Sequence, residues 1–244
     1  MRDADLIRAA ALAHVSWMSA VARVTGGSAL ADAGVTLIGR PDELVLAFPS
    51  APADAVEDAL GRVRASGRRV VGCWSTGLDP EADAALGDTL AGAGLGEGWQ
   101  PHWMAARIDA IADPGAPPDP RVAPATEVPE YDGYGQALLL MTRESPPRSR
   151  HFVAREEGEL AGLAWTHVAP AAPDVAGVFD VHVMDDRRRR GIGSALTRVA
   201  AADAARHGAA HVVLNATGDG ERLYAALGFR SLGFGRTWWL PRPG

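Results

Sequence analysis

The stretch that decides the fold reads Val181-His182-Val183-Met184-Asp185-Asp186-Arg187-Arg188-Arg189-Arg190-Gly191-Ile192-Gly193-Ser194-Ala195-Leu196. This pattern predicts an apolar strand, a basic turn with two glycines, and a helix that ends at Gly208. The first N–H groups of a helix lack partners within the helix, and the helix dipole adds positive charge at that end. Glycines let the backbone close tightly around an anion. The turn therefore predicts a binding site for a phosphorylated ligand.

Three kinds of phosphate-binding turn can follow a strand in this way. A P-loop requires a lysine, and the 24 basic residues of this chain are all arginines. A dinucleotide fingerprint requires a third small residue and a place in the first βα unit, whereas Leu196 occupies the third position and the unit lies late in the chain. The remaining pattern is Gln/Arg-x-x-Gly-x-Gly/Ala, which Arg188, Gly191 and Gly193 match without a gap.

The sequence downstream of this turn carries further signals. Residues 211–215 predict a second buried strand, residues 221–229 contain Leu-Tyr-x-x-Leu-Gly-Phe with Tyr224, and residues 235–240 predict a last strand. In this order, residues 121–244 resemble the GNAT superfamily of acyl-CoA-dependent N-acetyltransferases. The resemblance implies an α/β fold class, with an α+β mixed sheet that is largely antiparallel and flanked by helices.

The resemblance also implies where acetyl-CoA would bind as a cosubstrate. The turn would hold its pyrophosphate, and backbone groups of the preceding strand would bond its pantetheine arm. Many relatives carry asparagine where this chain has Thr217, and Asn215 would either bond pantetheine or begin the turn. The expected cofactor-binding residues are Val181, Val183, Arg188, Arg189, Arg190, Gly191, Ile192, Gly193, Ser194, Asn215 and Thr217.

The resemblance assigns Tyr224 the role of the general acid that protonates the departing thiolate. A phenol suits this role because phenols and thiols both have high reference pKa values. The general base is poorly signalled. Asp180 and His182 alternate with apolar residues and share a face of their strand, so either could relay a proton from an ammonium, and the absence of a dedicated base is also left open. His167 and Glu144 are weaker candidates for substrate contact, and no metal is implied.

A proline-rich segment divides the chain. Six prolines lie within residues 114–129, a density typical of a linker or an extended crossover. We therefore predict a first domain over residues 1–112, a linker over 113–120 and a catalytic domain over 121–244. Ahead of the phosphate turn, the catalytic domain predicts strands and one helix, over residues 121–124, 151–155, 160–168 and 177–184 and from Thr126 to about Met141.

The two halves predict the same order of elements, which indicates two tandem GNAT-like domains. The first half predicts helices over 5–24, 54–66 and 80–93, and strands over 35–38, 44–48, 69–74 and 99–108. Its copy of the turn lacks the chemistry, because Pro49 and Pro52 have no N–H to donate and Leu90 stands at the tyrosine position. The first half is therefore interpreted as a degenerate GNAT-like domain, with an unrelated α/β module as the alternative.

Composition and charge exclude several classes of protein. The chain is 47% hydrophobic and 22% charged, which favours a packed core over disorder. The net charge of −6 divides into −7 for residues 1–120 and +1 for residues 121–244, and neither half is basic enough for a nucleic-acid partner. Cys73 is the only cysteine, so no internal disulfide is possible and a reducing cytoplasm is expected. Charges interrupt the apolar stretch near the N-terminus, so neither a signal peptide nor a membrane span is expected.

The resemblance implies an N-acetyltransferase that moves an acetyl group from acetyl-CoA to a primary amine by direct attack, and the expected location is the cytoplasm. The expected partner is a small-molecule or peptide amine, and the chain is expected to be a monomer or a homodimer. The alternative function is a non-catalytic CoA-binding sensor or interaction module, and a Rossmann-type oxidoreductase is a third interpretation. No sequence pattern identifies the acceptor amine.

Overall fold

A computed structural model describes residues 1–113, 115–143 and 148–241 of the chain. Its helices are α1 (Asp3–Val24), α2 (Ala53–Ala65), α3 (Pro80–Gly92), α4 (Ile108–Ile111), α5 (Gly133–Leu139), α6 (Ile192–Arg206) and α7 (Gly218–Leu227). Its strands are β1 (Ser28–Asp32), β2 (Val35–Gly39), β3 (Glu43–Ala47), β4 (Arg69–Ser75), β5 (Gly96–Glu97), β6 (His102–Arg107), β7 (Val122–Pro124), β8 (Ser149–Glu156), β9 (Glu159–Val168), β10 (Val175–Val183), β11 (His211–Ala216), β12 (Arg230–Phe234) and β13 (Arg236–Trp239).

The chain forms two compact units, and each is assembled from segments that are not contiguous. The larger unit contains Met1–Trp17 and Trp103–Leu232, and the smaller unit contains Met18–His102 and the described residues from Gly233 onward. The domain boundaries predicted from the proline-rich segment stay a prediction. The two compact units have other bounds than the predicted domains, because each unit includes residues from both ends of the chain.

The larger unit contains a seven-stranded sheet in the order β12-β6-β11-β10-β9-β8-β7. β10 runs parallel to β11, whereas β7, β8, β9 and β10 form antiparallel pairs. Helix α6 packs on the middle of this sheet, where Ile192 and Leu196 lie in one buried cluster with Phe152. A second cluster joins Leu214 of β11 to Phe229, which follows α7. Burial of these side chains holds the start of α6 beside the end of β10.

The smaller unit contains a six-stranded sheet in the order β1-β2-β3-β4-β13-β5. β3 and β4 are parallel, and the other neighbours are antiparallel. Its core includes Leu44 and Leu46 of β3, Leu60 of α2, Leu90 of α3 and Trp238 of β13. Both sheets are mixed, largely antiparallel and flanked by helices, which confirms the predicted fold class.

Most predicted elements are present with bounds that differ by a few residues, but one helix start is wrong. The helix predicted from Thr126 begins at Gly133, because the Asp132 side chain caps it by accepting the N–H of Gly135 at 2.7 Å. Sequence patterning did not predict β1, whose five residues are all exposed, so no apolar alternation marks it.

The pairing of two strands also differs from a simple tandem arrangement. The strand predicted over residues 99–108 begins at His102 and lies in the sheet of the larger unit, between β12 and β11. The last strand, β13, lies in the sheet of the smaller unit, between β4 and β5. Apolar patterning predicts that a strand exists but does not identify its partner, because a sheet is completed by long-range pairing.

Candidate active site

The two central strands of the larger unit separate part of the way along their length. β10 and β11 pair only from Val175 to Gly177. Beyond that point β10 carries a bulge against β9 between Phe179 and His182, where Asp180 takes a left-handed φ of 48°. A bulge bends and twists its strand, and here the bent strand leaves backbone groups of β10 without a partner on the β11 side.

A cleft of about 940 Å³ opens where the strands separate. Its lining brings together the end of β10, the turn before α6, the end of β11 and the face of α7. The lining residues are Val178, Asp180, Val181, His182, Val183, Asp185, Arg188, Arg189, Gly191, Ile192, Gly193, Asn215, Thr217, Asp219, Gly220, Leu223 and Tyr224. Of the predicted site residues, Arg190 and Ser194 are absent from this lining.

The turn before α6 presents unbonded backbone N–H groups. Arg189 and Gly191 both have a left-handed backbone, with φ of 62° and 77°. Within the described part of the chain, the N–H groups of residues 189–194 have no hydrogen-bond partner, and the first bonded one is that of Ala195, which donates to the Gly191 carbonyl at 3.0 Å. Six consecutive free N–H groups at a helix start form a site that favours an anion.

The four consecutive arginines divide into two pairs. Arg188 and Arg189 line the cleft. Arg188 also contacts the Asp185 carboxylate at 2.7 Å, whereas the Arg189 side chain has no hydrogen bond or ion pair among the described residues. The side chains of Arg187 and Arg190 instead contact the Glu156 carboxylate, at 3.9 and 3.3 Å.

Tyr224 lies on α7, a short helix that is capped at both ends. Thr217 caps α7 by accepting the N–H of Gly220 at 3.2 Å, and Gly228 ends it with a φ of 99°. The Tyr224 side chain is mostly buried and lines the cleft. Burial raises the pKa of its phenol to about 12, so the hydroxyl keeps its proton at neutral pH. No hydrogen-bond partner of that hydroxyl lies among the described residues.

Asn215, at the end of β11, has one unsatisfied polar atom. Its Nδ2 lies 3.5 Å from Nδ1 of His14. Its Oδ1 is buried without a hydrogen-bond partner in the described structure, which is costly unless a ligand supplies a donor. Thr217 lines the cleft as well, although its hydroxyl serves as the cap of α7.

Asp180 and His182 face the side of the sheet opposite α6. Val181 and Val183, which alternate with them, pack against the buried cluster that contains α6. Partial desolvation raises the pKa of the Asp180 carboxyl above its ordinary value, although the residue is exposed, and the charge of His182 acts in the opposite direction. A carboxyl with a raised pKa is a better proton acceptor near neutral pH.

A tyrosine–histidine pair on the same side was missed from the sequence. The Tyr131 hydroxyl lies 2.8 Å from Nε2 of His151, whose ring stacks on Trp165 at a centroid distance of 3.9 Å. Burial lowers the pKa of His151 to about 4, against a backbone contact with Ala164 that favours the proton. Burial also raises the pKa of Tyr131, with the Asp180 charge acting in the same direction. Residues twenty positions apart on a loop and a strand give no spacing signal.

The weaker candidates have other roles or lie outside the description. His167 is buried and bonds the hydroxyls of Ser149 and Ser16, each at 2.8 Å, which accounts for both ring nitrogens. Glu144 lies outside the described residues. Cys73 is buried, and burial raises the pKa of its thiol, which makes it a poor nucleophile.

Two further features concern metal binding and membrane crossing by the described residues. No group of three or more His, Cys, Asp or Glu side chains is placed to hold a metal ion. None of the described helices combines the length and the apolar character that crossing a membrane requires.

Comparison with known proteins gives a consistent family. Residues 118–229 match the model of the acetyltransferase (GNAT) family. Over 129 residues the chain is 32% identical to a mycothiol acetyltransferase from Nocardia farcinica. The match covers 53% of this chain and 31% of that protein, so it spans about a third of the relative's length.

Solved structures share the fold over most of the chain. A GCN5-related N-acetyltransferase from Kribbella flavida superposes with a TM-score of 0.62 at 20% identity, covering 96% of each chain. A tandem GNAT protein from the clavulanic acid biosynthesis pathway gives a TM-score of 0.58 at 16% identity, covering 86% of this chain and 79% of that one. Residues 118–229, which contain the turn before α6 and Tyr224, are thus similar to the acetyltransferase (GNAT) family.

Proposed function

We propose that the chain transfers an acetyl group from acetyl-CoA to a primary amine on a small molecule or peptide. The observation that carries this proposal is that one cleft is lined both by the turn whose free N–H groups precede α6 and by a protonated phenol, that of Tyr224, which has no hydrogen-bond partner among the described residues. The first group suits a pyrophosphate, and the second suits a leaving thiolate. The matched acetyltransferase relative supports the same class of reaction.

The residues of the cleft fit the chemical parts of acetyl-CoA. The N–H groups of residues 189–194 and the guanidinium of Arg189 would hold the pyrophosphate through charge-assisted bonds. The backbone groups of β10 that lie beyond Gly177 and face β11 would bond the amides of the pantetheine arm. Asn215 Oδ1, buried without a partner, would accept one of their N–H groups.

The proposed reaction is a direct transfer. The amine nitrogen attacks the thioester carbonyl, a C–N bond forms and the C–S bond breaks. An unpaired N–H of β10 stabilises the oxygen charge that develops at the carbonyl. The sulfur leaves with the bonding electron pair and takes a proton from Tyr224. The attacking amine must lose its own proton, and Asp180 is the proposed acceptor because its raised pKa favours uptake. His182 on the same face is the alternative acceptor.

Turnover of the full chain on a set of amines tests the proposal. An amino sugar, a polyamine, an amino acid and a peptide with a free N-terminus would each be incubated with acetyl-CoA. We expect release of the free thiol together with an acetylated amine in the mass spectrum. Tight binding of acetyl-CoA by calorimetry without acetylation of any amine would favour the sensor function instead. An increase in the melting temperature with NAD(P) but not with acetyl-CoA would point to the oxidoreductase interpretation.

A further inference from the structure

The Glu156 carboxylate contacts two arginines of the phosphate turn and a third arginine from outside it. Glu156 ends β8, and its side chain is only 17% exposed. One carboxylate oxygen lies 3.3 Å from Arg190 and 3.9 Å from Arg187, and the other lies 3.4 Å from Arg121. The Glu156 carboxylate therefore links Arg187 and Arg190 of the turn to Arg121, which precedes β7.

Arg121 extends the contact to the turn backbone. Its Nη1 donates to the Arg190 carbonyl at 3.1 Å, and the Asp119 carboxylate fixes the guanidinium with two contacts of 2.9 and 3.0 Å. Arg190 in turn donates to the Asp186 carbonyl at 3.2 Å. The chain entering the turn and the chain leaving it are thus linked through one ion cluster, formed by Asp119, Arg121, Glu156, Arg187 and Arg190.

This cluster opposes two features that disfavour the turn. Four adjacent guanidinium groups repel one another, and Arg189 has a left-handed backbone that is uncommon outside glycine. With Arg187 and Arg190 held on the outer side, Arg188 and Arg189 are left to line the cleft. The same contacts fix the backbone that presents the free N–H groups.

We infer that Glu156 is a positioning residue for phosphate binding, which holds the turn in its binding conformation before the ligand arrives. The inference rests on the proposed function, since it presumes that the cleft receives the phosphates of CoA. A ligand bound by an ordered turn does not have to order it, and preorganisation of this kind raises affinity.

The sign of the effect of removing this acid separates the inference from simple electrostatics. If Glu156 acted only through its charge, its loss would make the site more positive and would strengthen binding of a polyanion. It would also leave Arg190 without a carboxylate partner among the described residues, so that its guanidinium could contact phosphates. If Glu156 orders the turn, its loss weakens binding although the site has become more positive.

Calorimetric titration of the full chain with CoA, which needs no acceptor amine, tests this inference. Glu156→Gln is expected to weaken CoA binding about 10-fold, and Glu156→Asp to recover part of the loss. The matched control is Glu157→Gln, which removes the same charge one residue away, where the side chain has no ion pair among the described residues. This control is expected to bind CoA as the wild type does, or slightly more tightly.

Arg121→Gln, compared with Arg155→Gln, repeats the test on the other side of the cluster. Both variants lose one positive charge, but Arg155 pairs with Glu130 and does not contact the turn. Arg121→Gln is expected to bind CoA several-fold more weakly than Arg155→Gln, which also covers the case in which Glu156→Gln does not fold. Equal or tighter CoA binding by folded Glu156→Gln, or equal binding by the two arginine variants, would overturn the inference and leave the proposed function standing. A wild-type chain that does not bind CoA would overturn both.

Discussion

The central parallel strand pair is open in the larger unit and closed in the smaller one. In the smaller unit β3 pairs with β4 along its whole length, from Glu43 to Ala47. The N–H of Phe48 extends the ladder by donating to the Trp74 carbonyl at 2.8 Å. In the larger unit the corresponding ladder ends at Gly177. The same order of elements therefore forms a cleft in the larger unit and a continuously paired pair of strands in the smaller one.

The turns that follow these strands differ in the same sense. In the smaller unit, the N–H groups of Ser50 and Ala51 both donate to the Gly34 carbonyl, at 2.9 and 3.3 Å, and the neighbouring prolines have no N–H. In the larger unit, residues 189–194 keep their N–H groups free. Unsatisfied polar groups reduce stability, so an open turn is expected only where a ligand supplies the missing partners.

At the end of one helix, by contrast, the two units share their backbone hydrogen bonding and differ in a side chain. The N–H of Leu95 donates to the Leu90 carbonyl at 2.9 Å, and the N–H of Phe229 donates to the Tyr224 carbonyl at 3.0 Å. Leu90 and Tyr224 thus occupy the same position relative to the glycine that ends each helix. The two units thus share this backbone contact, with leucine in the smaller unit where the larger unit has the tyrosine proposed as the proton donor.

The largest expected effect follows from removing the first half of the chain. A fragment of residues 121–244 lacks β6, which lies between β12 and β11 in the sheet of the larger unit. It also lacks Trp17, whose ring stacks on Phe179 at 4.8 Å. We expect this fragment to be insoluble or unfolded, because it exposes two strand edges and a large apolar face.

Expression and circular dichroism of the fragment check this expectation. The matched control is a fragment of residues 100–244, which restores β6 and is expected to be the more soluble of the two. A soluble 121–244 fragment that binds CoA as the full chain does would show that the larger unit needs neither segment.

The second largest effect is expected at the proton donor. Tyr224→Phe removes only the hydroxyl and should lower kcat by about 10²–10⁴-fold, while calorimetry shows unchanged CoA affinity. Leu90→Tyr in the same variant should restore no activity, because β3 and β4 pair along the whole of β3 and the N–H groups of Ser50 and Ala51 are already bonded. Wild-type turnover by Tyr224→Phe between pH 6 and 9 would exclude the phenol as the acid.

The local parts of the site could be predicted from the sequence. Arg188, Gly191 and Gly193 lie close together in the chain, and the glycine conformation and helix start that they require are local properties. The distance from Tyr224 to Gly228 is likewise one helical turn. Patterns of this kind can be recognised in a single sequence, because local backbone geometry fixes the positions of residues that are close together in the chain.

The non-local parts could not be predicted. Glu156 and Arg190 are 34 residues apart, and Tyr131 and His151 are 20 apart, so only the folded sheet brings each pair together. Cofactor binding by the Arg190 N–H group stays a prediction, whereas the contact of its side chain with Glu156 could not be read from the sequence. The exchange of β6 and β13 between the two sheets is of the same kind, since strand pairing depends on tertiary packing.

A smaller effect is expected from a carboxylate placed in the phosphate turn. A Cβ at Gly193 would lie 3.3 Å from Leu223 and 3.6 Å from Val183, so the backbone can accommodate a side chain with a small adjustment. Gly193→Asp is expected to weaken CoA binding by about 10- to 100-fold through repulsion of the phosphates. The control is Gly61→Asp in α2, where no atom lies within 4 Å of the added Cβ. Equal CoA affinities for the two variants in calorimetry would remove the turn from the binding site.

The smallest effect is expected in the dependence of stability on pH, and it should be confined to the larger unit. Burial lowers the pKa of His14 and of His151 to about 4 from an ordinary 6.5. The unfolded chain therefore binds protons at these residues near pH 6.5, whereas the folded chain does not until about pH 4, so stability is lost as the pH falls through this window. Each histidine would remove about 1.4 kcal/mol per pH unit.

Urea unfolding at pH 7, 6 and 5, with hydrogen exchange to locate the loss, measures this dependence. We expect amides of β8 to β10 to lose protection before those of β2 to β4, because both histidines belong to the larger unit. His151→Gln should flatten the slope by the share of one histidine even if it lowers stability at pH 7, since glutamine does not titrate. An equal loss of protection in both units would show that acid destabilises the whole chain. The contrast between the larger unit, with its unbonded polar groups, and the smaller unit, with its paired strands, would then not extend to stability.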